Sequence, residues 1–477
     1  MNSVIAPVHA GVSTPRPTLV PLTSSARAKK SKWFGIGFGT RFFVALVLGL
    51  IWVVPAAWSP SLIAGMFVWD GLFLLLWFWD LGRLPKQGEL ALSRVWHSPP
   101  SLSVPSSVSI ELHNYGRLPA KARVTDETPR ALRVEPPTVD LLAAPGRTVR
   151  AEYAILPGQR GDLRMGKFYL RYQTMLGLAE RWAVADVAGT VRVLPNLEQA
   201  KQQTLFLIRT RQVDLEQRRK RLRGVGRDFE SLRDYRNGDE LRNICWTATA
   251  RRSKLITRVF QVERSQSVWI VLDAGRLMRS QIVQAGTALR LSKLDYAVDA
   301  ALALAQVAMH SGDRVGLLAY GRLVQQNLNA NRGASHLRSI VESLALVRSE
   351  PYEADHGRAA HTLLSEQKRR CLIVWITDLA ESAGTPDVVE YALQLRRRHL
   401  VLFAALGQPD LNDLAARRPE SEEEMFRYIA AIEIVQRREL LLRRLRQQGV
   451  LALELMPGVL SSSIVNQYLD IKDRSLI

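Results

Sequence analysis

Two apolar runs separated by a three-residue break constrain this chain more than any other feature in it. Residues 42–58 (FFVALVLGLIWVVPAAW) and 62–79 (LIAGMFVWDGLFLLLWFW) are almost wholly apolar, and Ser59-Pro60-Ser61 lies between them. A bilayer core needs roughly 20 consecutive apolar residues, and each run approaches that length. The spacing predicts a two-helix transmembrane hairpin over 42–80, with Trp52, Trp58, Trp69, Trp77 and Trp79 partly suited to interfacial belts. A cleaved secretory signal competes for the first run, because basic residues precede it and Pro55-Ala56-Ala57 is small. Cleavage there would still leave the second run as a span.

The flanks predict orientation. Arg16, Arg27, Lys29, Lys30, Lys32 and Arg41 precede the hairpin, no charge lies in its turn, and Arg83 and Lys86 follow it, so both ends are expected in the cytoplasm. Asp70 falls inside the second run, where a charge costs about 2.5–3.5 kcal/mol. The expectation is a carboxyl that is protonated or faces the first helix, against an alternative role in packing or signalling within the bilayer. Residues 1–41 are otherwise rich in Pro, Ser, Thr and Ala and read as a disordered basic arm.

At 477 residues the chain is long enough for two or three domains, and 47% apolar residues supply their cores. A net charge of +20 favours anionic surroundings. Cytoplasmic cations are expected of a membrane protein anyway, and the aromatics fall at core periodicity, so no nucleic-acid role is read from the charge. The 2 cysteines, Cys245 and Cys371, form no C-x-x-C pair, which argues against a disulfide framework or a zinc site. Cys371 opens an apolar strand and reads as a core residue.

From 90 to 196 the texture is short alternating runs, such as Val108-Ser-Ile-Glu-Leu and Lys167-Phe-Tyr-Leu-Arg-Tyr, broken by Asn114-Tyr-Gly116, Pro145-Gly146 and Pro157-Gly158. Period-2 strands at this spacing predict an all-β sandwich, immunoglobulin- or fibronectin-like. A basic connector follows over 199–264. Its first part, 199–223, reads as a solvated helix, with contact to anionic headgroups or an acidic partner as the sharper alternative. Gly224-Val-Gly226 is not followed by Gly-Lys-Ser/Thr, so no nucleotide P-loop is supported.

Over 265–477 the pattern alternates strand and helix. Near-continuous apolar strands fall at 267–273, 314–320, 371–378, 400–406 and 450–455, with helices at 293–310, 335–347, 386–398 and 422–448. That pattern predicts a parallel sheet covered on both faces, a doubly wound, Rossmann-like α/β domain whose ligands sit outside the strand carboxyl ends. His356 and His361 lack the i, i+4 zincin spacing and read as solvated or hydrogen-bonded histidines, and the absence of Gly-x-Ser-x-Gly gives a serine hydrolase no nucleophile elbow.

The stretch 224–263 is dense in charge of both signs, yet Phe229, Leu232, Tyr235, Leu241, Ile244, Trp246 and Ile256 recur within it. Interleaved aromatics predict a folded, ion-paired element, laid against the sheet edge with Phe229, Tyr235 and Trp246 buried. The run Arg227-Asp-Phe229-Glu-Ser-Leu-Arg233-Asp-Tyr235-Arg-Asn-Gly238-Asp239, with Arg242, Trp246, Arg251 and Glu263, resembles the signature of the bacterial family called domain of unknown function 58 (DUF 58). The piece 156–178 resembles that family's β-domain. The resemblance implies a membrane hairpin and β-domain joined to a von Willebrand factor A-like (vWA-like) domain in the bacterial inner membrane, accompanied by a MoxR-type AAA+ ATPase. It implies no reaction.

In vWA-like domains an Asp-x-Ser-x-Ser loop and a later Thr and Asp form a metal-ion-dependent adhesion site (MIDAS). Aligned on it, Asp273 matches the first Asp, but Gly275 and Leu277 stand at the two Ser positions; Ser335 falls where the Thr is expected, and Asp378 matches the last Asp. Hard cations need several oxygen ligands, so the expectation is a degenerate, metal-free interaction face with Arg276 neutralising the aspartates. Mg²⁺ completed by other oxygens, with Glu381 and Asp313 as candidates, is the alternative. The function expected is a membrane-anchored cytoplasmic scaffold without catalytic residues or cofactor; the alternative is a metal-assisted hydrolase using Asp273 and Asp378.

Overall fold

The computed structural model describes residues 23–30, 35–56, 58–59, 61, 63–196, 228–236, 241, 244–261, 266–283, 290–379, 387–474 and 476. They divide into two compact units, one of residues 1–100, 105–157 and 162–192, the other of 101–104, 158–161 and 193–477. Two short pieces of the stretch expected to be one β-domain, 101–104 and 158–161, thus belong to the second unit. There Arg160 Nε donates to Asp295 Oδ1 at 2.6 Å.

In the first unit, one helix among the described residues is long and apolar enough to cross a membrane, Ile63–Arg83. Its 21 residues span about 31 Å. The apolar helix before it, Thr40–Pro55, is shorter. The two helices approach closely because two glycines permit it. A Cβ on Gly49 would meet Asp70 Oδ1 at 2.7 Å, and one on Gly65 would meet the Trp52 ring at 2.8 Å. Asp70 therefore faces the first helix, as expected, while Phe67, Val68, Leu75 and Phe78 point outward.

Two antiparallel sheets follow. One orders Thr23–Arg27, Leu90–Trp96, Ser106–Asn114 and Thr148–Ile155; the other orders Lys29–Lys30, Ala179–Ala185, Phe168–Gln173, Ala120–Asp126 and Thr138–Ala143. Alternation supplies the core: Leu90, Leu92, Val108, Ile110 and Leu112 of the first sheet and Val124, Phe168 and Leu170 of the second are buried. Arg94 and Asp126 form a buried ion pair between the sheets, to which Tyr153 donates at 2.6 Å. Asp80, near the end of the long helix, is buried and accepts from Leu178 N–H at 3.1 Å and Ala179 N–H at 2.9 Å.

The arm expected to be disordered over 1–41 is corrected over its described part. Thr23–Arg27 pairs with Leu90–Trp96, and Ile36–Phe38 pairs with Ala179–Arg181. The sheet edges supply backbone partners that a segment of small and polar residues does not announce. Residues 1–22 lie outside the described residues.

The second unit is built on a six-stranded sheet, numbered here β1 (Ser267–Asp273), β2 (Arg314–Tyr320), β3 (Val324–Asn331), β4 (Leu372–Thr377), β5 (Leu400–Leu406) and β6 (Leu451–Leu455). Their spatial order is 3-2-1-4-5-6, and all neighbours pair in parallel except β2 with β3. This is the doubly wound arrangement the alternation predicts. Helices α1 (Lys293–His310), α2 (Ala334–Leu346) and α7 (Leu460–Asp473) cover one face; α3 (His356–Glu366), α4 (Asp387–Arg396) and α6 (Glu422–Gln447) cover the other, with α5 (Pro409–Ala416) packed on α6. Each fully buried Leu, Ile or Val in these two layers contributes about 1.5–3 kcal/mol, which is why β1, β4 and β5 are apolar on both sides.

The segment before β1 forms its own small sheet, Asp228–Asp234 with Ile256–Gln261, and a seven-residue helix, Trp246–Arg252. It is separate from the six-stranded sheet. Ile244, Cys245 and Ile256 fill its interior, so Trp246 is 67% exposed and the expected burial of its ring is overturned. Tyr235 is half-buried, and the Phe229 side chain lies outside the described residues.

Candidate functional site

Strands β1 and β4 are neighbours, so their carboxyl ends bring Asp273 and Asp378 together. Asp273 is 3% exposed. Its Oδ1 accepts from Gly275 N–H at 2.7 Å and its Oδ2 from the Thr377 hydroxyl at 2.6 Å. Burial pushes this carboxyl above the usual range, opposed by His356, Thr377 and Gly275. Gly275 fits because Ala354 crowds it: a Cβ there would lie 2.9 Å from the Ala354 backbone nitrogen. A serine hydroxyl at that position is excluded by packing as well as by sequence.

Asp378 is 5% exposed and both its oxygens are taken by cations. Lys293 Nζ, from the first residue of α1, donates to Oδ2 at 2.6 Å, and Arg438 Nη1, from the middle of α6, donates to Oδ1 at 2.8 Å. Arg438 also donates to Leu379 O, Leu406 O and Glu454 Oε1, and Lys293 to Gln408 Oε1. The guanidinium fork thus ties β4, β5 and β6 together at the rim of the sheet. A divalent cation would have to displace an ammonium from Asp378, so these residues do not fit one. Among the described residues no group of three His, Cys, Asp or Glu side chains has metal-site geometry.

Beside Asp273 runs a second chain of hydrogen bonds. Trp375 Nε1 donates to the Tyr320 hydroxyl at 2.7 Å, and that oxygen lies 2.9 Å from His356 Nδ1. Indole nitrogen only donates, so the Tyr320 proton is free to go to Nδ1, leaving the ring proton of a neutral imidazole on Nε2. Burial pushes His356 below its ordinary value against the pull of Asp273, and pushes the Tyr320 hydroxyl well up.

Several expected site residues stand elsewhere. Ser335 is exposed on α2, and Thr377 occupies the hydroxyl role expected of it. Asp313 lies at the opposite end of the sheet, accepting from Tyr468 at 2.5 Å and Lys472 at 2.8 Å. Arg276 pairs with Glu353 at 3.5 Å instead of neutralising the aspartates. His361 is exposed on α3. Of the signature, Arg233 and Arg251 are exposed, while Arg227, Gly238, Asp239, Arg242 and Glu263 lie outside the described residues, as do 199–223 and Glu381. Lys293, Arg438, Tyr320 and Trp375 were not signalled by any motif; a lone lysine opening an apolar helix was the one available hint.

Residues 231–422 match the family described as "Protein of unknown function DUF58". The chain carries a DUF58 region. Relatives include the "Uncharacterized protein Mb1516" of Mycobacterium bovis and the "Uncharacterized protein Rv1480" of Mycobacterium tuberculosis, each 28% identical over 206 residues. Each match spans 42% of this chain and 62% of the relative's length. Among solved structures, the conserved hypothetical protein BatB from Bacteroides thetaiotaomicron is 16% identical, with a TM-score of 0.29 over 44% of this chain and 100% of that one. The SpRpn10 VWA domain is 13% identical, with a TM-score of 0.26 over 43% of this chain and 95% of that one. The DUF58 match covers the strand-end aspartates and Lys293 and stops at the first residue of α6, before Arg438.

Proposed function

We propose that this protein is a membrane-anchored cytoplasmic interaction scaffold: a two-pass helical hairpin, an immunoglobulin-like sandwich, and a vWA-like domain whose strand-carboxyl face docks a protein partner without metal. One observation carries the last part. Lys293 and Arg438 occupy the two oxygens of Asp378, where a MIDAS-type site would hold its cation. Gly275 N–H and the Thr377 hydroxyl occupy the oxygens of Asp273 in the same way, which together with the two cations on Asp378 counts against a hydrolase using these aspartates.

The partner class, a MoxR-type ATPase, follows from the family resemblance, and the cytoplasmic placement from the basic flanks. Co-elution of the full-length protein in detergent with the MoxR-type ATPase of the same genome tests the reading. A complex that survives EDTA is expected. No complex, or one abolished by EDTA, overturns it. Reporter fusions after Arg83 and at Ile477 are expected to give cytoplasmic signals, and a periplasmic signal at either removes the hairpin.

A further inference from the structure

The end of the sheet opposite the aspartates holds a cavity of about 770 Å³ that the reading above does not use. Gln266 and Trp269 of β1 and its lead-in line it, together with Arg314, Lys368, Arg369 and Arg370. The topology explains the convergence. Arg314 opens β2 and residues 368–370 lead into β4, and these two strands flank β1 on either side, so cations from both neighbours meet around its start. Trp269 is buried, and its Nε1 donates to Gln367 Oε1 at 3.2 Å, which fixes the ring as part of the wall.

Among the described residues the charges there are not balanced. Glu366 is the one acid among the described lining residues, and its Oε1 accepts from Asn327 at 2.6 Å. Arg370 donates to Leu476 O at 3.2 Å, and among the described residues Arg314, Lys368 and Arg369 take part in no ion pair. Lys293, Arg438, Arg94 and Arg160 each have a carboxylate. Like charges gathered in a concavity raise the local concentration of anions, and a polar, basic lining suits a hydrated oxyanion better than an apolar ligand. Guanidinium groups match phosphate in fork geometry, and a phosphate ester brings more charge than one carboxylate does.

We propose that this cavity is an anion site for a phosphate-bearing ligand, either a soluble phosphate ester or the headgroup of an anionic lipid. The full-length protein in uncharged detergent is titrated calorimetrically, at low ionic strength, with inorganic tripolyphosphate and separately with monomeric dihexanoyl phosphatidylglycerol. Saturable binding of at least one probe is expected, weakened about tenfold or more by Arg314→Glu and by Arg369→Glu. Arg338→Glu, on the exposed side of α2 and outside the cavity, is expected to leave it unchanged. Tripolyphosphate alone identifies a soluble ester, and the lipid alone a headgroup. If a reversal unfolds the chain, Arg314→Gln and Arg369→Gln are read in its place and must still weaken binding. Failure of both probes, or an equal loss in Arg338→Glu, overturns the proposal.

Discussion

Lys293 Nζ lies 2.6 Å from Asp378 Oδ2, and Arg438 Nη1 lies 2.8 Å from the other oxygen of the same carboxylate, all three side chains being nearly inaccessible. Removing Lys293 leaves Asp378 and Glu454 sharing Arg438, with one negative charge uncompensated, and breaking a buried pair in this way costs about 3–5 kcal/mol. Lys293→Met is therefore expected to lower the melting temperature of the full-length protein sharply. Adding Asp378→Asn relieves the stranded carboxylate, while Arg438 keeps Glu454 and two backbone carbonyls. The double variant should recover about 1–3 kcal/mol relative to the sum of the single losses. Additive losses would show that the pair is not coupled and would remove the argument that it replaces a cation.

The backbone of this face was legible in the sequence, and its chemistry was not. β1, β2, β5 and α1 have the bounds that apolar runs and helical periodicity predict, because buried parallel strands leave little choice of residue. β3 escaped: VQQNLNAN is an edge strand with one polar side, and it looks like a loop. α7 escaped because its apolar positions are spaced among serines and polar residues that hide a buried stripe of Leu460, Ile464, Val465, Tyr468 and Ile471. The neighbours of Asp378 come from helices far apart in sequence, and only the strand order 1-4-5-6 brings α1 and α6 to one carboxylate. Ser335 was misplaced for the same reason. A motif fixes spacing along the chain, while the hydroxyl needed at Asp273 came from Thr377 on the adjacent strand.

Trp246 separates surface from core in the DUF58 signature. It is 67% exposed, whereas Ile256, on the paired strand behind it, is 1% exposed. Trp246→Ala is expected to change stability by no more than about 0.5 kcal/mol, as for other surface positions. Ile256→Ala is expected to cost about 2–5 kcal/mol through lost burial and a cavity. Thermal melts of the two variants decide it: comparable destabilisation in both would mean that the indole is covered after all.

His356 gives the strand-carboxyl face a pH dependence whose sign can be worked out. Its pKa is lowered, chiefly by burial, while Asp273, Asp387, Asp355 and Glu353 pull the other way. A folded-state value below the unfolded one means that the unfolded chain binds more protons, so stability rises with pH through that window. His356 thus contributes fully above about pH 6.5, the unperturbed histidine value, and its contribution is lost as pH falls toward the folded value. Asp273 acts in the opposite sense, since its raised carboxyl favours the folded state at low pH; His356→Gln removes a group that opposes that rise, so the variant keeps still more of its stability at low pH and the difference from wild type grows in the same direction. The wild type is therefore expected to lose more melting temperature between pH 7 and pH 5 than His356→Gln does. Tyr320→Phe removes the hydroxyl that favours the neutral ring, so the folded value rises toward the unfolded one and the loss should shrink. Parallel curves for wild type and His356→Gln would show that the ring titrates in the folded protein as it does in the unfolded chain, and the chain from Trp375 through Tyr320 to His356 would then have no hold on its protonation.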